Sequence, residues 1–221
     1  MDSGFLDLLR TESAALPGMV RLTKCARNTY LYKRGEAARH LYVIESGMAK
    51  LTGALEDDRE VLLSLLGPGD AVGEKAVLCD TPRDHSVCIV KEACIFQVPA
   101  GEFSELCRRK PELWIMVAWL LARRAEQMKR RLELISFFRV EQRILHSLAD
   151  LAEAFGGRQA YETCVEIPLS QADLANMVGA TRETTSSMLN LFERKGLLRL
   201  GRRHVCIDSP QSLRHAARGA A

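Results

Sequence analysis

Arg182 and Glu183 stand side by side at the head of the amphipathic run RETTSSMLNLF, three residues after Gly179. Arginine can donate two parallel hydrogen bonds to guanine, and glutamate can accept from the N4 amino group of cytosine. The pair therefore has the chemistry of base recognition. Thr184, Ser187 and Asn190 share the polar side of the run with them. Positioning these groups falls to two short helices and the turn between them. Ser170, followed three residues later by Asp173, forms a capping-box pattern that opens the first helix. Leu174, Met177 and Val178 give that helix an apolar stripe, and Gly179 suits a left-handed C-cap. Thr181 suits the N-cap of the second helix, whose apolar side is Met188, Leu189 and Phe192. Spacing alone fits an ordinary helical hairpin as well as a DNA-binding helix-turn-helix. The residue types favour the second reading, and a helix N-terminus also suits phosphate.

Past that helix, apolar alternation on both sides of Gly201-Arg202-Arg203 predicts a small hairpin with a basic tip, like the wing of a winged helix. From Ser170 to Ala221 there are eight Lys/Arg against four Asp/Glu, a local excess of four on a chain whose net charge is +3. This quarter is therefore basic and the remainder near neutral, as phosphate neutralisation by one region requires.

The 221 residues are 47% hydrophobic, enough for one large or two modest cores. No apolar run approaches the ~18–20 residues needed to cross a bilayer. The segment MDSGFLDLLRTESAALPG is acidic early and lacks a basic n-region, so no secretory signal and a cytoplasmic location are expected. Seven cysteines are present, an odd number with no C-x-x-C spacing, which predicts reduced, mostly buried thiols and no metal site. Nucleophile–base motifs, a P-loop and His/Cys ligand spacing are missing, so an enzyme is not expected. Asp57-Asp58 reads as turn chemistry.

Short apolar runs from about Arg21 to Pro99 predict strands at 41–44, 48–55, 61–66, 86–90 and 93–98. Turn residues between them, such as Ser46-Gly47, Glu56 to Arg59 and Gly67-Pro68-Gly69-Asp70, suggest a sandwich or jelly roll. Gly101 to Lys110 and a longer stretch from Pro111 to Ser136 predict helices. In the longer one Trp114, Ala118, Leu121, Ala125, Met128, Leu132 and Ile135 recur at alternating steps of four and three, an a/d seam for a homodimeric coiled coil. Simple packing where the roll meets the helix would also account for Trp114 and Trp119. A further helix, about Glu141 to Phe155, ends at Gly156-Gly157, and the tail after Ser209 is expected to be loose.

This order of parts resembles the catabolite-activator/fumarate-nitrate-regulator (CRP/FNR) family. The likeness covers about Leu16 to Leu213 and rests on Gly35-Glu36, Gly47, Gly67 to Asp70, Gly73-Glu74 and the block Val178 to Thr184. It implies an α+β chain with an effector-sensing β-roll (1–110), a dimerisation helix (111–137) and a winged helix-turn-helix (138–221). It further implies a homodimeric transcription regulator on a palindromic double-stranded DNA site, with RNA polymerase as partner. The alternative is a cyclic-nucleotide-type sensor acting on a protein without DNA, which would not need the basic wing.

Carried over residue by residue, Arg182 and Glu183 match the family's base-reading pair, and Ser170, Gln171 and Thr181 match phosphate-contacting places. The family often has a second Arg five residues after the first, where this chain has Ser187. For the effector, the resemblance points to Gly73, Glu74, Arg83, His85, Ser86 and Met128. His85 occupies the place of the phosphate-binding Arg, before Ser86, in a loop one residue longer, and Arg83 is the candidate substitute. The adenine-contacting hydroxyl pair falls on Met128-Lys129, which cannot make those bonds. A cyclic nucleotide therefore remains one candidate among other small ligands. Cys25 is the single N-terminal cysteine, which speaks against an iron–sulfur cluster. Haem would need axial ligands such as His85 or Cys79, and a lone histidine is more often surface or hydrogen-bonded.

Overall fold

Strict alternation along one strand shows how the N-terminal half is layered. In His40–Ala54, Leu41 and Val43 face one apolar cluster while Tyr42 and Ile44 face another. Both faces of the sheet are thus buried, and the period of two is what allows it. The computed structural model describes residues 4–54, 60–79, 81–155, 165–202 and 204–219. The expected turn at Glu56 to Arg59, the helix stop at Gly156-Gly157, and residues Arg203 and Cys164 lie outside them. The chain divides into two compact units, Met1–Glu126 and Gln127–Ala221.

The first unit starts with helix α1 (Gly4–Thr11) and a short 3-10 turn, then strands β1 (Val20–Cys25), β2 (Tyr30–Tyr32), β3 (His40–Ala54), β4 (Glu60–Leu66) and β5 (Ala71–Val72). One turn of helix, α2 (Lys75–Leu78), leads to β6 (Ser86–Pro99) and helix α3 (Ala100–Arg109). All strand pairs are antiparallel in one six-stranded sheet of order β1-β6-β3-β4, with β2 on β6 and β5 on β3. Two pairs of predicted strands prove to be single long ones, β3 and β6. The reason lies at Ser46-Gly47, which is a bulge and not a turn: the β3–β6 register shifts there, and Gly47 has φ +85° with space for a Cβ only 2.2 Å from the Glu92 carbonyl. Bulges of this kind bend long strands into a roll.

Helix α4 (Leu113–Phe137) crosses the boundary between the units. Leu113, Val117 and Leu120 are buried against α1, α3 and the sheet. Trp114, expected on the dimer seam, is half-buried and packs on that same core, because its large ring reaches back to it. Ala118, Leu121, Ala125, Met128, Leu132 and Ile135 are exposed in the chain, Met128 by 62% and Leu132 by 65%.

The second unit continues with α5 (Val140–Phe155), β7 (Val165–Ile167), α6 (Gln171–Val178), α7 (Arg182–Arg194), β8 (Arg199–Gly201), β9 (His204–Ile207) and α8 (Pro210–Gly219). The three strands form a small antiparallel sheet of order β7-β9-β8. The tail is therefore not loose. Ser209 and Pro210 start α8, and Leu213 and Ala217, four residues apart, are buried in its contact with α5. Gln142 on α5 donates to the Ala217 carbonyl at 3.2 Å. Asp150 on α5 is gripped twice: by Arg130 of α4 through Nε and Nη2, at 2.6 and 2.8 Å, and by Arg214 of α8 at 2.8 Å. Arg131 donates to the Asn176 carbonyl near the end of α6 at 3.0 Å. Ile135 reaches the turn after it, its Cδ1 lying 3.9 Å from where a Cβ on Gly179 would stand.

No helix among the described residues is long and apolar enough to cross a membrane. Cys25, Cys79, Cys88, Cys94 and Cys107 are free, as the composition predicts, whereas Cys206 is disulfide-bonded.

Candidate functional site

Local sequence builds the two-helix motif. Ser170 accepts from the Asp173 N–H at 3.1 Å while Asp173 accepts from the Ser170 N–H at 3.2 Å, so both ends of the capping box are made. Gly179 takes the left-handed C-cap at φ 64°. Thr181 caps α7, accepting from the Thr184 N–H at 3.1 Å and donating to the Thr184 hydroxyl at 2.9 Å. With Thr185, Leu189 and Phe192 buried, α7 turns Arg182, Glu183, Thr184, Ser187 and Asn190 to the outside. Glu183, Ser187 and Asn190 recur at four and three residues and form one stripe, flanked by Arg182 and Thr184 in the first turn.

The wing closes against this helix. The Leu200 N–H donates to Glu193 at 2.7 Å, and Arg199 pairs with Asp208 at 2.8 Å. Arg202 is exposed at the tip. A cavity of about 280 Å³ lies where Ser170, Gln171, Arg182, Gly201 and His204 meet. The structure thus gathers Ser170, Gln171, Thr181, Arg182, Glu183, Thr184, Ser187 and Arg202 on the α6–α7 and wing surface, while Arg203 lies outside the described residues.

A second polar cluster sits inside the N-terminal roll. Gly73 (φ +89°) turns the chain after β5, where a Cβ would lie 2.6 Å from Nη1 of Arg83 and 2.8 Å from the His40 carbonyl. Beside it Glu74 is 4% exposed and is ion-paired with Arg124 of α4, which also donates to the Ala71 carbonyl at 2.6 Å. Arg83, 6% exposed, donates to the carbonyls of Gly73 (3.3 Å) and His40 (2.5 Å), and its guanidinium lies 4.1 Å from the Tyr32 ring centroid. His85 bridges the Tyr32 hydroxyl (2.6 Å) and Asp84 (2.5 Å), and Lys75 pairs with Asp84 at 2.5 Å. The carboxylate can only accept, so Nδ1 of His85 carries a proton and Nε2 accepts from Tyr32. Ser86 accepts from the Arg34 N–H at 3.0 Å. Met128 belongs to the other unit.

Two buried atoms in this cluster have no hydrogen-bond partner among the described residues: Oε2 of Glu74, an acceptor, and Nε of Arg83, a donor. Each would cost about 1–3 kcal/mol if left unsatisfied. Burial pushes the His85 pKa down, against the pull of Asp84. Burial also works against ionisation of Asp84, but Lys75 and His85 hold its carboxyl below the usual range. Both folded-state values are depressed, so both groups contribute stability that is present above their unfolded values and lost as pH falls. Acidifying from about pH 7.5 to 5.5, across the ordinary histidine value near 6.5, is expected to lower the melting temperature. In His85→Gln part of that dependence should vanish, as differential scanning calorimetry across pH would show; an unchanged dependence would mean His85 does not contribute.

Tyr32, His40 and Arg124 belong to this cluster and carry no motif of their own. Arg124 did leave a signal. It continues the buried series Leu113, Val117, Leu120 at the next step of four, and a charge on a buried stripe needs a partner.

Residues 22–110 match the family model for the cyclic nucleotide-binding domain, and residues 142–216 match that for the Crp-like helix-turn-helix domain. A CRP-like cAMP-activated global transcriptional regulator from Mycobacterium tuberculosis is 30% identical over 205 residues, 93% of this chain and 92% of that one. A cyclic AMP receptor protein from Thermus thermophilus is 29% identical over 191 residues, covering 86% and 85%. Among solved structures, a CRP/FNR-family transcriptional regulator from Thermus thermophilus superposes with a TM-score of 0.72 at 22% identity, covering 90% of this chain and 98% of that one. The c-di-GMP-responsive global regulator CLP of Xanthomonas campestris gives 0.71 at 22%, covering 86% and 93%. These two superpositions establish the fold: a cyclic-nucleotide-type roll, a long helix and a winged helix-turn-helix.

Proposed function

This chain belongs to the CRP/FNR family of DNA-binding transcription regulators, which are not enzymes and usually act as dimers, and we propose that it reads a palindromic site as a homodimer gated by a small effector in its roll. The division of labour follows the three parts: roll 1–110 for the effector, α4 with its flanks (111–137) for the dimer, and 138–221 for DNA. Arg182 and Glu183 read base edges, with Thr184 and Ser187 beside them. Ser170, Gln171, Thr181, Arg202 and Arg203 hold phosphates, and RNA polymerase is the further partner. The same reading expects a cytoplasmic location. Exposure of the whole α7 stripe beside a basic wing supports this assignment. At the wing tip, Arg202→Ala should weaken specific and random DNA alike and lower the slope of log K against log salt by about two, one for each protomer. Binding titrations at several salt concentrations measure it, and an unchanged slope would place Arg202 away from phosphate.

For the effector, the observation that carries the reading is the pair of unpartnered buried atoms, Oε2 of Glu74 and Nε of Arg83. Together they suit a polar ligand that offers a hydroxyl to one and an acceptor to the other. A cyclic nucleotide fits only in part. Glu74 is free to take a sugar hydroxyl, but the Arg83 fork is spent on two carbonyls and His85 on Tyr32 and Asp84. Isothermal titration with cyclic AMP and cyclic GMP is therefore expected to give binding weaker than about 1 μM, the level at which ~8 kcal/mol is gained. Tighter binding would mean that Arg83 or His85 abandons its partners for the phosphate.

A further inference from the structure

Asn190 sits where α7 stands furthest from its own core. At ~100° per residue, Glu183, Ser187, Asn190 and Arg194 fall within about 60° of one another, roughly opposite the buried Thr185, Leu189 and Phe192. All four are exposed. The ends of this stripe are charged and its middle, Ser187 and Asn190, is not. Phosphate is held by cations, so the uncharged middle suits base edges better than the DNA backbone. Asparagine is also a poor helix former, because its side chain competes for nearby backbone groups. Asn190 nevertheless stands inside α7 with its amide open to the outside.

We infer that Asn190 is a specificity-determining residue whose amide reads an adenine about three base pairs along the groove from the base that Glu183 contacts. The inference rests on the DNA-reading assignment of α7 and deepens it. Adenine shows the major groove an N7 acceptor beside an N6 amino donor, and an asparagine amide offers a donor and an acceptor side by side, so the two bond twice. Guanine shows acceptors at both N7 and O6, which sets one of them against the amide oxygen. The reach along the helix agrees. Seven residues at ~1.5 Å each put Asn190 about 10 Å beyond Glu183, close to three base pairs at ~3.4 Å. Homeodomains read bases from one helix over the same span, with an asparagine on adenine. Ser187 stands between the two readers. Its short side chain lets this part of the helix lie deeper in the groove than a long arginine there would allow. A half-site then carries G·C under Arg182 and Glu183 and A·T under Asn190, with a weakly specified step between them.

The test uses full-length protein and duplexes randomised on both sides of a two-fold centre. The unaltered protein should enrich an A·T pair about three base pairs from the G·C pair whose enrichment Arg182→Ala abolishes. Replacing that A·T pair in one half-site should weaken binding by about 5- to 150-fold, the discrimination of one bidentate contact. In Asn190→Ala the A·T enrichment should vanish while the G·C enrichment persists. Asn190→Asp has nearly the same shape but only acceptors, and it should exchange adenine for the N4 amino group of cytosine at that place. Both substitutions fall at an exposed position, and a retained G·C preference shows that the helix still docks. An A·T enrichment in Asn190→Ala equal to the parent's would overturn the inference, as would a parent without preference at that pair. So would losses in Asn190→Ala that are equal on specific and random duplexes, which would make Asn190 a backbone contact. Arg182→Ala separates the two levels. If it loses the G·C preference while Asn190→Ala selects the parent's sequence, this inference alone fails; if neither variant alters the selected sequence, α7 is not the reading helix.

Discussion

Arg182→Ala is expected to weaken binding to the cognate site by roughly 30-fold to 10⁴-fold while leaving random DNA nearly unchanged. A good bidentate contact to one base is worth about 1–3 kcal/mol, and a two-fold dimer repeats the loss in each half-site. Arg182 stands at the first position of α7, exposed, on a helix whose N-terminus is fixed by the Thr181 cap. The substitution removes no buried group, so the fold should persist. Competition titrations with specific and non-specific duplexes measure the ratio. Equal losses on both would reduce Arg182 to a phosphate contact. Ser187 enters the same argument: where relatives often place a second Arg, this chain offers a short hydroxyl, so discrimination at that base step should be weak even in the unaltered protein.

Leu121→Glu should leave the protein monomeric at micromolar concentration, with light scattering giving the 24.7 kDa of one chain and not twice that. Leu121 is 38% exposed in the chain. Covering a leucine gains about 1.5–3 kcal/mol, and symmetry counts it twice. The variant also sets two carboxylates against each other across the dyad. A loss of roughly 3–6 kcal/mol raises a dissociation constant by two to four orders of magnitude. The core should be untouched, since Leu113, Val117 and Leu120 carry the packing of this helix. An intact dimer would refute the seam.

The reader was legible in the sequence because its signals are local: a capping box at Ser170, a left-handed glycine at Gly179, and a cap at Thr181 each act within four residues. Helix α8 was not, since Leu213 and Ala217 are too few to show a period and their partner α5 lies far away in sequence. In the roll, Ser46-Gly47 has turn chemistry but serves a bulge, and only the register against β6 decides between the two. The polar cluster inside the roll was half visible. Gly73-Glu74 and His85 could be placed by resemblance, whereas Tyr32, His40 and Arg124 are brought there by three separate elements. On the predicted seam, Trp114 is drawn into the core, and Ile135 leans on the helix-turn-helix turn.

The double grip on Asp150 and the Arg131 bond to Asn176 bear on which operators this protein can accept. They fasten the last turns of α4 to the helices that carry the recognition element, inside one unit. A reader on a loose tether would tolerate half-sites at varied separations. In the proposed homodimer, a reader held to its own α4 would turn the pair of helices into a ruler. One base pair inserted at the operator centre moves a half-site by ~3.4 Å and rotates it by roughly 35°. These contacts resist that displacement, so part of the cost is expected to fall on the DNA, which would twist or bend to bring the half-sites back into phase.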